Sequence, residues 1–364
     1  MTAEPEASFV RIGVAPITSR GGRGPVQGLR RATLLTDDGV PIEAAYRPAR
    51  RPAHRPPGSA GGSAGESAGG VGDGAGSGPG ERSADGPVIV VAHGFTGSLG
   101  RPAVQRVADV FAEHAAVVTF SFRGHGRSGG RSTVGDREVL DLAAAVRWAR
   151  SFGHRRVATV GFSMGGSVVI RHAALYGPNA PADGAVPGLG GAVPELGDAV
   201  SGRGGASGAG DSRGPGDLPA PPAPPGAADG GRAEARTDAV VAVSAPARWY
   251  YRGTAPMRRL HWVVTRPAGR LVGRYGLRTR IDTREWDPVP LSPVGSVPLI
   301  APVPLLVVHG DRDPYFPVDH PRSLLAAAPS ADAVELWLEP GMGHAENAVA
   351  PPLLHRIADW LDGR

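Results

Sequence analysis

The chain has 364 residues, of which 41% are hydrophobic, so it is long enough for one large domain or two small ones. It contains no cysteine, which excludes disulfides, thiolate nucleophiles and cysteine-ligated metal sites. The formal net charge is +5, but all 39 basic residues are arginine, as a GC-rich coding bias would produce. We therefore expect no nucleic-acid partner, although a basic balance can indicate one.

The first twenty residues lack the apolar core of a signal peptide, and no apolar run reaches the roughly 18 residues of a membrane span. The absence of cysteine fits a reducing compartment. We therefore expect a cytoplasmic protein without a membrane span. The sequence does not indicate an oligomeric state.

Two stretches have a composition that cannot form a packed core. Residues 56–86 are rich in Gly, Ser and Ala, and residues 178–236 are rich in Gly, Pro and Ala. Both are predicted to be disordered insertions, and residues 1–30 to be loosely ordered. What remains of 31–364 has the size of a single α/β domain.

Outside the insertions, strand and helix patterns alternate. The turn Asp37-Asp38-Gly39 predicts a β-hairpin between strands at 32–35 and 40–46. Continuous apolar runs predict buried strands at 88–92, 117–122, 156–162, 239–243, 305–309 and 334–338. Apolar periodicity predicts helices at 104–113, 136–151, 166–176 and 351–361. The alternation predicts a mostly parallel sheet with helices on both faces.

A segment at about 247–300 interrupts this alternation after the sixth strand. It is rich in arginine and contains six tryptophan and tyrosine residues. We predict a small, partly helical cap over the sheet. Its aromatic side chains either line a pocket or only hold the cap in place, and its arginines either recognise an acidic substrate or only solvate the surface.

The stretch Gly161-Phe162-Ser163-Met164-Gly165 lies between a predicted strand and a predicted helix. A serine at the apex of such a turn is the nucleophile elbow of serine hydrolases. The flanking glycines are needed because side chains at a sharp turn would collide with neighbouring backbone. The pattern therefore predicts Ser163 as a nucleophile.

A serine hydroxyl needs a base, an orienting acid and oxyanion donors, and each has a candidate just after a predicted strand. The Phe95 amide, together with the Met164 amide, would form the oxyanion hole. Asp313 is the favoured acid and Asp311 the alternative, while His344 after the last strand is the predicted base. Two further histidines are expected to make structural hydrogen bonds, His93 and His125.

Topology predicts where the insertions lie. In a parallel sheet the site forms at the carboxyl ends of the strands. The insertion at 56–86 enters a strand from the opposite end, and the one at 178–236 follows a helix that has returned to that end. Both should lie away from the chemistry, whereas the cap leaves a carboxyl end and should cover it.

With these motifs in order, the chain resembles the α/β-hydrolase-fold superfamily, in particular its esterase, lysophospholipase and serine-aminopeptidase-like branch. The resemblance covers about 31–362 without the insertions, and it rests on the elbow and on His93-Gly94-Phe95-Thr96-Gly97, Arg123-Gly124-His125-Gly126-Arg127-Ser128 and the Asp313/His344 pair. It implies a nucleophile, an acid, a base and two oxyanion donors at Ser163, Asp313, His344, Phe95 and Met164. Relatives often carry an aspartate where this chain has Ser121.

The implied function is hydrolysis of a small-molecule carboxylic ester by a Ser-Asp-His triad through an acyl-enzyme, with no metal or organic cofactor. A thioesterase, an amidase or aminopeptidase, or an acyltransferase would use the same triad. A second alternative is a non-catalytic binding protein with this fold. The substrate itself stays open, because a fold does not determine it.

Overall fold

The computed structural model describes residues 28–50, 87–180 and 227–364. The predicted insertion at 56–86 lies outside these residues, and so do residues 1–27 of the predicted N-terminal segment. Most of the second predicted insertion, 181–226, also lies outside them.

Eight strands form one sheet. They are β1 Arg30–Leu35, β2 Pro41–Arg47, β3 Val88–Ala92, β4 Ala116–Phe120, β5 Val157–Phe162, β6 Ala239–Val243, β7 Leu305–Gly310 and β8 Val334–Glu339. Their order in the sheet is β1-β2-β4-β3-β5-β6-β7-β8. The pairs β1–β2 and β2–β4 are antiparallel, and all other neighbours are parallel. The fold is therefore the mostly parallel α/β sheet that the sequence predicts.

The helices of the described part are α1 Pro102–Phe111, α2 Glu138–Arg150, α3 Met164–Tyr176, α4 Ala227–Glu234, α5 Ala255–Thr265, α6 Pro267–Tyr275, α7 Pro293–Ser296, α8 Asp319–Ala326, α9 Ala345–Ala348 and α10 Pro351–Asp362. A 3₁₀ turn, Val297–Leu299, follows α7. Within the described residues, no helix combines the length and the apolar character that crossing a bilayer requires.

The core lies on both faces of the sheet. Strands β3 to β7 are buried along their whole length, which explains why their sequences are continuous apolar runs. Alternate residues of β3 point into two separate clusters. One cluster includes Leu142 of α2 and Val168 of α3, and the other includes Val107 of α1 and Leu354 of α10. Helices thus cover both faces, as the alternation predicts.

The observed elements differ from the predicted ones mainly at their ends. Strand β4 stops at Phe120 rather than at residue 122, because the Phe122 N–H donates to the His93 ring instead of to the sheet. Helix α3 begins directly after Ser163, two residues earlier than predicted. Helix α8 was not predicted from the sequence. Its eight residues contain a proline and offer too few apolar positions to show a helical period.

The prediction of disorder over 178–236 extends too far, because residues 227–234 form α4. The Arg232 guanidinium donates to the carbonyl of Leu175 at the end of α3, and Ala235 is buried. These contacts give the segment partners that its composition does not indicate.

The chain ends that flank the two undescribed internal segments lie at the amino ends of the parallel strands. The Arg50 N–H donates to the Ala112 carbonyl, shortly before β4 begins. On the other segment, the Asn179 amide donates to the Ala301 carbonyl ahead of β7, and the Asp238 N–H donates to the Val157 carbonyl at the start of β5. Ser163 follows β5 and is at the opposite edge, as the topology predicts.

Removal of residues 184–224 should therefore leave the kcat and KM for a short p-nitrophenyl ester within about twofold of the full chain, because the flanks lie far from Ser163. Steady-state kinetics on both purified proteins measures this. A large fall in kcat in a deletion variant with an unchanged melting temperature would contradict it.

Candidate active site

Ser163 stands at a sharp turn between β5 and α3, and its φ of +51° is strained for a residue with a side chain. The neighbouring glycines make the turn sterically possible. A Cβ atom on Gly161 would lie 2.1 Å from the Gly165 carbonyl oxygen, and one on Gly165 would lie 2.2 Å from the Ala92 carbonyl oxygen. The turn therefore requires glycine at both positions and presents the serine side chain at its apex.

Three predicted residues come together at this apex. The Ser163 hydroxyl lies 2.9 Å from His344 Nε2, and His344 Nδ1 lies 2.7 Å from Asp313 Oδ2. Because the ionised Asp313 accepts a hydrogen bond from the Nδ1–H group, the neutral imidazole leaves Nε2 as an acceptor for the serine hydroxyl. This arrangement can deprotonate a serine hydroxyl as it attacks.

Asp313 is fully buried beside the histidine. Burial raises the pKa of its carboxyl, but the hydrogen bond and charge of His344 and two backbone amides lower it more, so the net pKa lies below the usual value. The two amides, of Tyr315 and Phe316, donate to Oδ1. The other candidate acid, Asp311, instead accepts the Gly341 N–H. Of the two, only Asp313 contacts His344.

The His344 loop is held by its neighbours. The Ala345 N–H donates to Ser244 Oγ just after β6, 3.1 Å away. The Tyr315 ring lies against the imidazole, with centroids 4.3 Å apart. The His309 Nε2–H donates to the Phe316 carbonyl at 2.8 Å and so fixes the loop that carries Asp313. The base and the acid are thus positioned from the ends of three adjacent strands.

The predicted oxyanion donors, the Phe95 and Met164 amides, have no hydrogen-bond acceptor in the part of the chain that the structure describes. Both residues line the same cavity as Ser163. Amides that lack a protein acceptor in an otherwise bonded region are available to a substrate oxygen. The structure therefore brings these two residues to the serine.

Two buried histidines hold the loop that carries Phe95. His93 Nε2 accepts the Phe122 N–H, so its Nδ1 donates to the Gly94 carbonyl. His125 Nε2 accepts the Thr96 N–H at 3.3 Å. Burial, with the neighbouring His125, lowers the pKa of His93 to about 3, so the ring is neutral at pH 7. These contacts fit the structural roles expected for both histidines.

Arg123 and Ser121 form a second set of hydrogen bonds, close to the loop that carries Phe95. The Arg123 guanidinium is buried and donates to both Asp38 in the hairpin turn and Asp141 in α2. Ser121 Oγ accepts the Leu99 N–H and donates to the Glu43 carboxylate of β2. Where relatives often carry an aspartate, this chain thus places a serine paired with a carboxylate from the next strand.

A cavity of about 530 Å³ opens above Ser163, between the sheet and the cap. Its apolar lining comes from both sides and includes Phe95, Val134, Met164, Trp249, Met257, Leu260, Val264, Ile281, Trp286 and Phe316. The cap aromatics divide into two groups. Trp249, Tyr250, Tyr251 and Trp286 line the cavity, whereas Trp262 and Tyr275 do not and are exposed. The cap covers the site, as the topology predicts.

Comparison with known proteins agrees with this architecture. A family model described as alpha/beta hydrolase fold matches residues 87–184. An esterase of Pyrococcus furiosus superimposes with a TM-score of 0.54 at 18% identity, over 96% of this chain and 97% of its own. The chain has the α/β-hydrolase fold. The alpha/beta hydrolase GrgF from Penicillium has the same fold, with a TM-score of 0.52 at 15% identity over 92% and 98% of the two chains.

One curated relative also matches this hydrolase-fold chain. It is YheT of Escherichia coli, which is named as a candidate esterase, and it is 33% identical over 104 residues. That match covers 28% of this chain and 31% of the relative. The chain therefore matches less than a third of the relative's length.

Glu346 is a buried residue at the site that sequence reasoning missed. Its Oε1 accepts the Gly94 N–H at 3.1 Å, and a Cβ atom built on Gly94 would lie within 3.3 Å of both this carboxyl and Ser163 Cβ. Burial raises the pKa of the Glu346 carboxyl. The side chain thus ties the His344 loop to the loop that carries Phe95. Its only sequence signal is an acid two residues after His344 in an apolar stretch.

Replacement of Glu346 by leucine should lower kcat about 10- to 100-fold with little change in KM, because the Gly94 amide loses its acceptor and the oxyanion loop shifts. Glu346→Gln is the matched control, since its amide oxygen still accepts from Gly94, and it should stay within a few-fold of the parent. Steady-state kinetics on folded variants measures both. Full activity of the leucine variant, or equal damage by glutamine, would contradict this role.

Proposed function

We propose that this protein is a serine hydrolase that cleaves a carboxylic ester through an acyl-enzyme intermediate. The observation that carries the proposal is the hydrogen-bonded chain from Ser163 Oγ through His344 to the buried Asp313, at the floor of a largely apolar cavity. The esterase names of the Pyrococcus furiosus and Escherichia coli proteins support the reaction class.

In acylation, Ser163 Oγ attacks the ester carbonyl carbon while His344 Nε2 takes the serine proton. The imidazolium that forms is stabilised by the ionised Asp313, which also holds the ring in the productive tautomer. The Phe95 and Met164 amides donate to the oxyanion, and each such donor stabilises the transition state by about 3 kcal/mol. His344 then gives its proton to the departing alkoxide, and the alcohol leaves.

Deacylation uses the same groups with water as the nucleophile. His344 Nε2 takes a proton from water as its oxygen attacks the acyl carbonyl. The tetrahedral intermediate collapses, the carboxylic acid leaves, and His344 returns the proton to Ser163 Oγ. No step requires a group other than these side chains, two amides and water.

The cavity supports an ester with a sizeable apolar part. Its volume of about 530 Å³ falls within the range of small-molecule pockets, and apolar side chains from the cap and the sheet line it. The reacting carbonyl would lie beside Ser163, with the acyl or alcohol group packed against residues such as Trp249 and Leu260.

Ser163→Ala should abolish hydrolysis of short p-nitrophenyl esters, a loss of about 10⁶-fold in kcat, because the nucleophile is removed. The variant should remain folded, since within the described part of the chain the Ser163 side chain bonds to His344 alone. Initial rates and thermal unfolding of the parent and the variant measure this. Undiminished turnover by a folded Ser163→Ala protein would disprove the assignment.

A matched pair tests the acid within the same experiment. Asp313→Asn should lower kcat about 10⁴-fold, because an amide no longer holds the imidazole in the required tautomer. Asp311→Asn should change little, since its amide oxygen still accepts the Gly341 N–H. Equal losses in the two variants would contradict the choice of Asp313. Esters assayed beside matched thioesters and aminoacyl amides then separate esterase activity from the other reactions of this triad.

A further inference from the structure

The outer side of the cap carries an unbalanced positive charge. Residues 250–281 contain eight arginines and no aspartate or glutamate. Among the described residues, none of the eight forms an ion pair with a carboxylate. The nearest paired arginines along the chain are Arg248 with Asp319 and Arg284 with Asp282. No carboxylate of the described residues therefore neutralises the charge of this surface.

The same surface exposes large apolar side chains. Trp262 of α5 is 47% exposed, and Leu271, Val272 and Tyr275 of α6 are 58%, 47% and 73% exposed. Arg258 and Arg259 precede Trp262 by one turn of α5, so these three side chains share one face of that helix. Exposed apolar side chains among unpaired arginines mark this face of the α5–α6 hairpin as an interaction surface.

The opposite side of α5 faces the candidate active site. Met257, Leu260 and Val264 line the cavity that contains Ser163, whereas Arg258, Arg259 and Trp262 do not. The α5 helix therefore presents Met257, Leu260 and Val264 to the cavity, together with the polar His261 and Thr265. Toward solvent it is both apolar and cationic. It forms a wall between the cavity and whatever binds the outer face of the hairpin.

The arginines and the exposed apolar side chains of this face decide which kind of partner can bind it. A second copy of this face would bring exposed arginines such as Arg258, Arg259 and Arg274 against their own equivalents, which repel. Nucleic acid would neutralise the charge but leave Leu271 and Val272 without an apolar partner. We infer that the outer face of the α5–α6 hairpin binds the surface of an anionic lipid bilayer. Arginines then meet the headgroups while the tryptophan and aliphatic side chains enter the acyl boundary.

This docking also indicates a substrate class, a conclusion that rests on the proposed esterase function. A hairpin seated on a bilayer places the cavity beside esters that are themselves dissolved in the membrane. The reacting ester would be that of an acyl lipid, whose chain fits the apolar lining around Leu260 and Val264. Water supplies the new oxygen atom of the released fatty acid, and the rest of the lipid is released as the alcohol.

Binding is tested without turnover in the full-length Ser163→Ala protein. Flotation with phosphatidylcholine vesicles and with vesicles that also contain about 30% phosphatidylglycerol compares a neutral and an anionic surface. The protein should partition at least about tenfold more strongly onto the anionic vesicles. This preference should fall steeply at about 0.5 M NaCl, because salt screens the attraction.

Variants locate the surface. In the Ser163→Ala background, Arg258→Glu/Arg259→Glu/Arg274→Glu should abolish the preference for anionic vesicles, and Trp262→Ser/Leu271→Ser should weaken binding to them. The matched control reverses three exposed arginines outside the cap, Arg31, Arg155 and Arg322, and changes the net charge equally. It should bind like the parent. Absence of vesicle binding, equal binding to both vesicle types, or equal loss in the control would overturn the inference.

The same substitutions made with Ser163 intact separate this inference from the proposed function. None of the five cap residues lines the cavity, so turnover of a soluble p-nitrophenyl ester should be unchanged while hydrolysis of lipid esters in anionic vesicles falls. A parent that binds anionic vesicles but hydrolyses no ester would support docking and contradict the esterase proposal. Binding to nucleic acid, or self-association through this face, in place of vesicle binding would contradict docking.

Discussion

The geometry of the site depends on the backbone at Ser163. The serine is held at a φ of +51° between β5 and α3, and the turn closes only because Gly161 and Gly165 have no side chains to strike the neighbouring carbonyls. This steric constraint aims the hydroxyl out of the sheet, to the edge where the loops after β7 and β8 also end. The parallel strands then bring Asp313 and His344 to the same edge of the sheet, although both lie far from Ser163 along the chain.

Around this turn, buried polar groups hold two loops at fixed positions. His93, His125 and Glu346 each bond to the backbone between Gly94 and Thr96, and the Phe95 N–H has no acceptor among the described residues. Burial lowers the pKa of both histidines and raises that of Glu346, so burial shifts all three groups toward their neutral forms. An environment of fixed dipoles stabilises negative charge without reorganising, which is the main source of rate acceleration in acyl transfer.

The elbow and the two loops after β7 and β8 were predictable because each is a short local signal at the end of an apolar run, and parallel topology places such ends together. Glu346 was not, because its bond to Gly94 spans 252 residues and leaves no local pattern. Helix α4 was not predictable either, because its composition is typical of disorder. Its contact through Arg232 joins residues that are far apart along the chain. The sequence also does not show which cap aromatics line the cavity. Only the packing shows that Trp249 faces the cavity while Trp262 faces solvent.

We propose above all that His344 and Asp313 make Ser163 a nucleophile. Mass spectrometry after reaction of the full-length protein with a fluorophosphonate tests it most directly, because the reagent phosphonylates activated serines. We predict a single adduct per chain, mapped to Ser163, and its loss in the His344→Ala variant. A folded protein that forms no adduct, or one that is labelled at a different serine, would contradict the account.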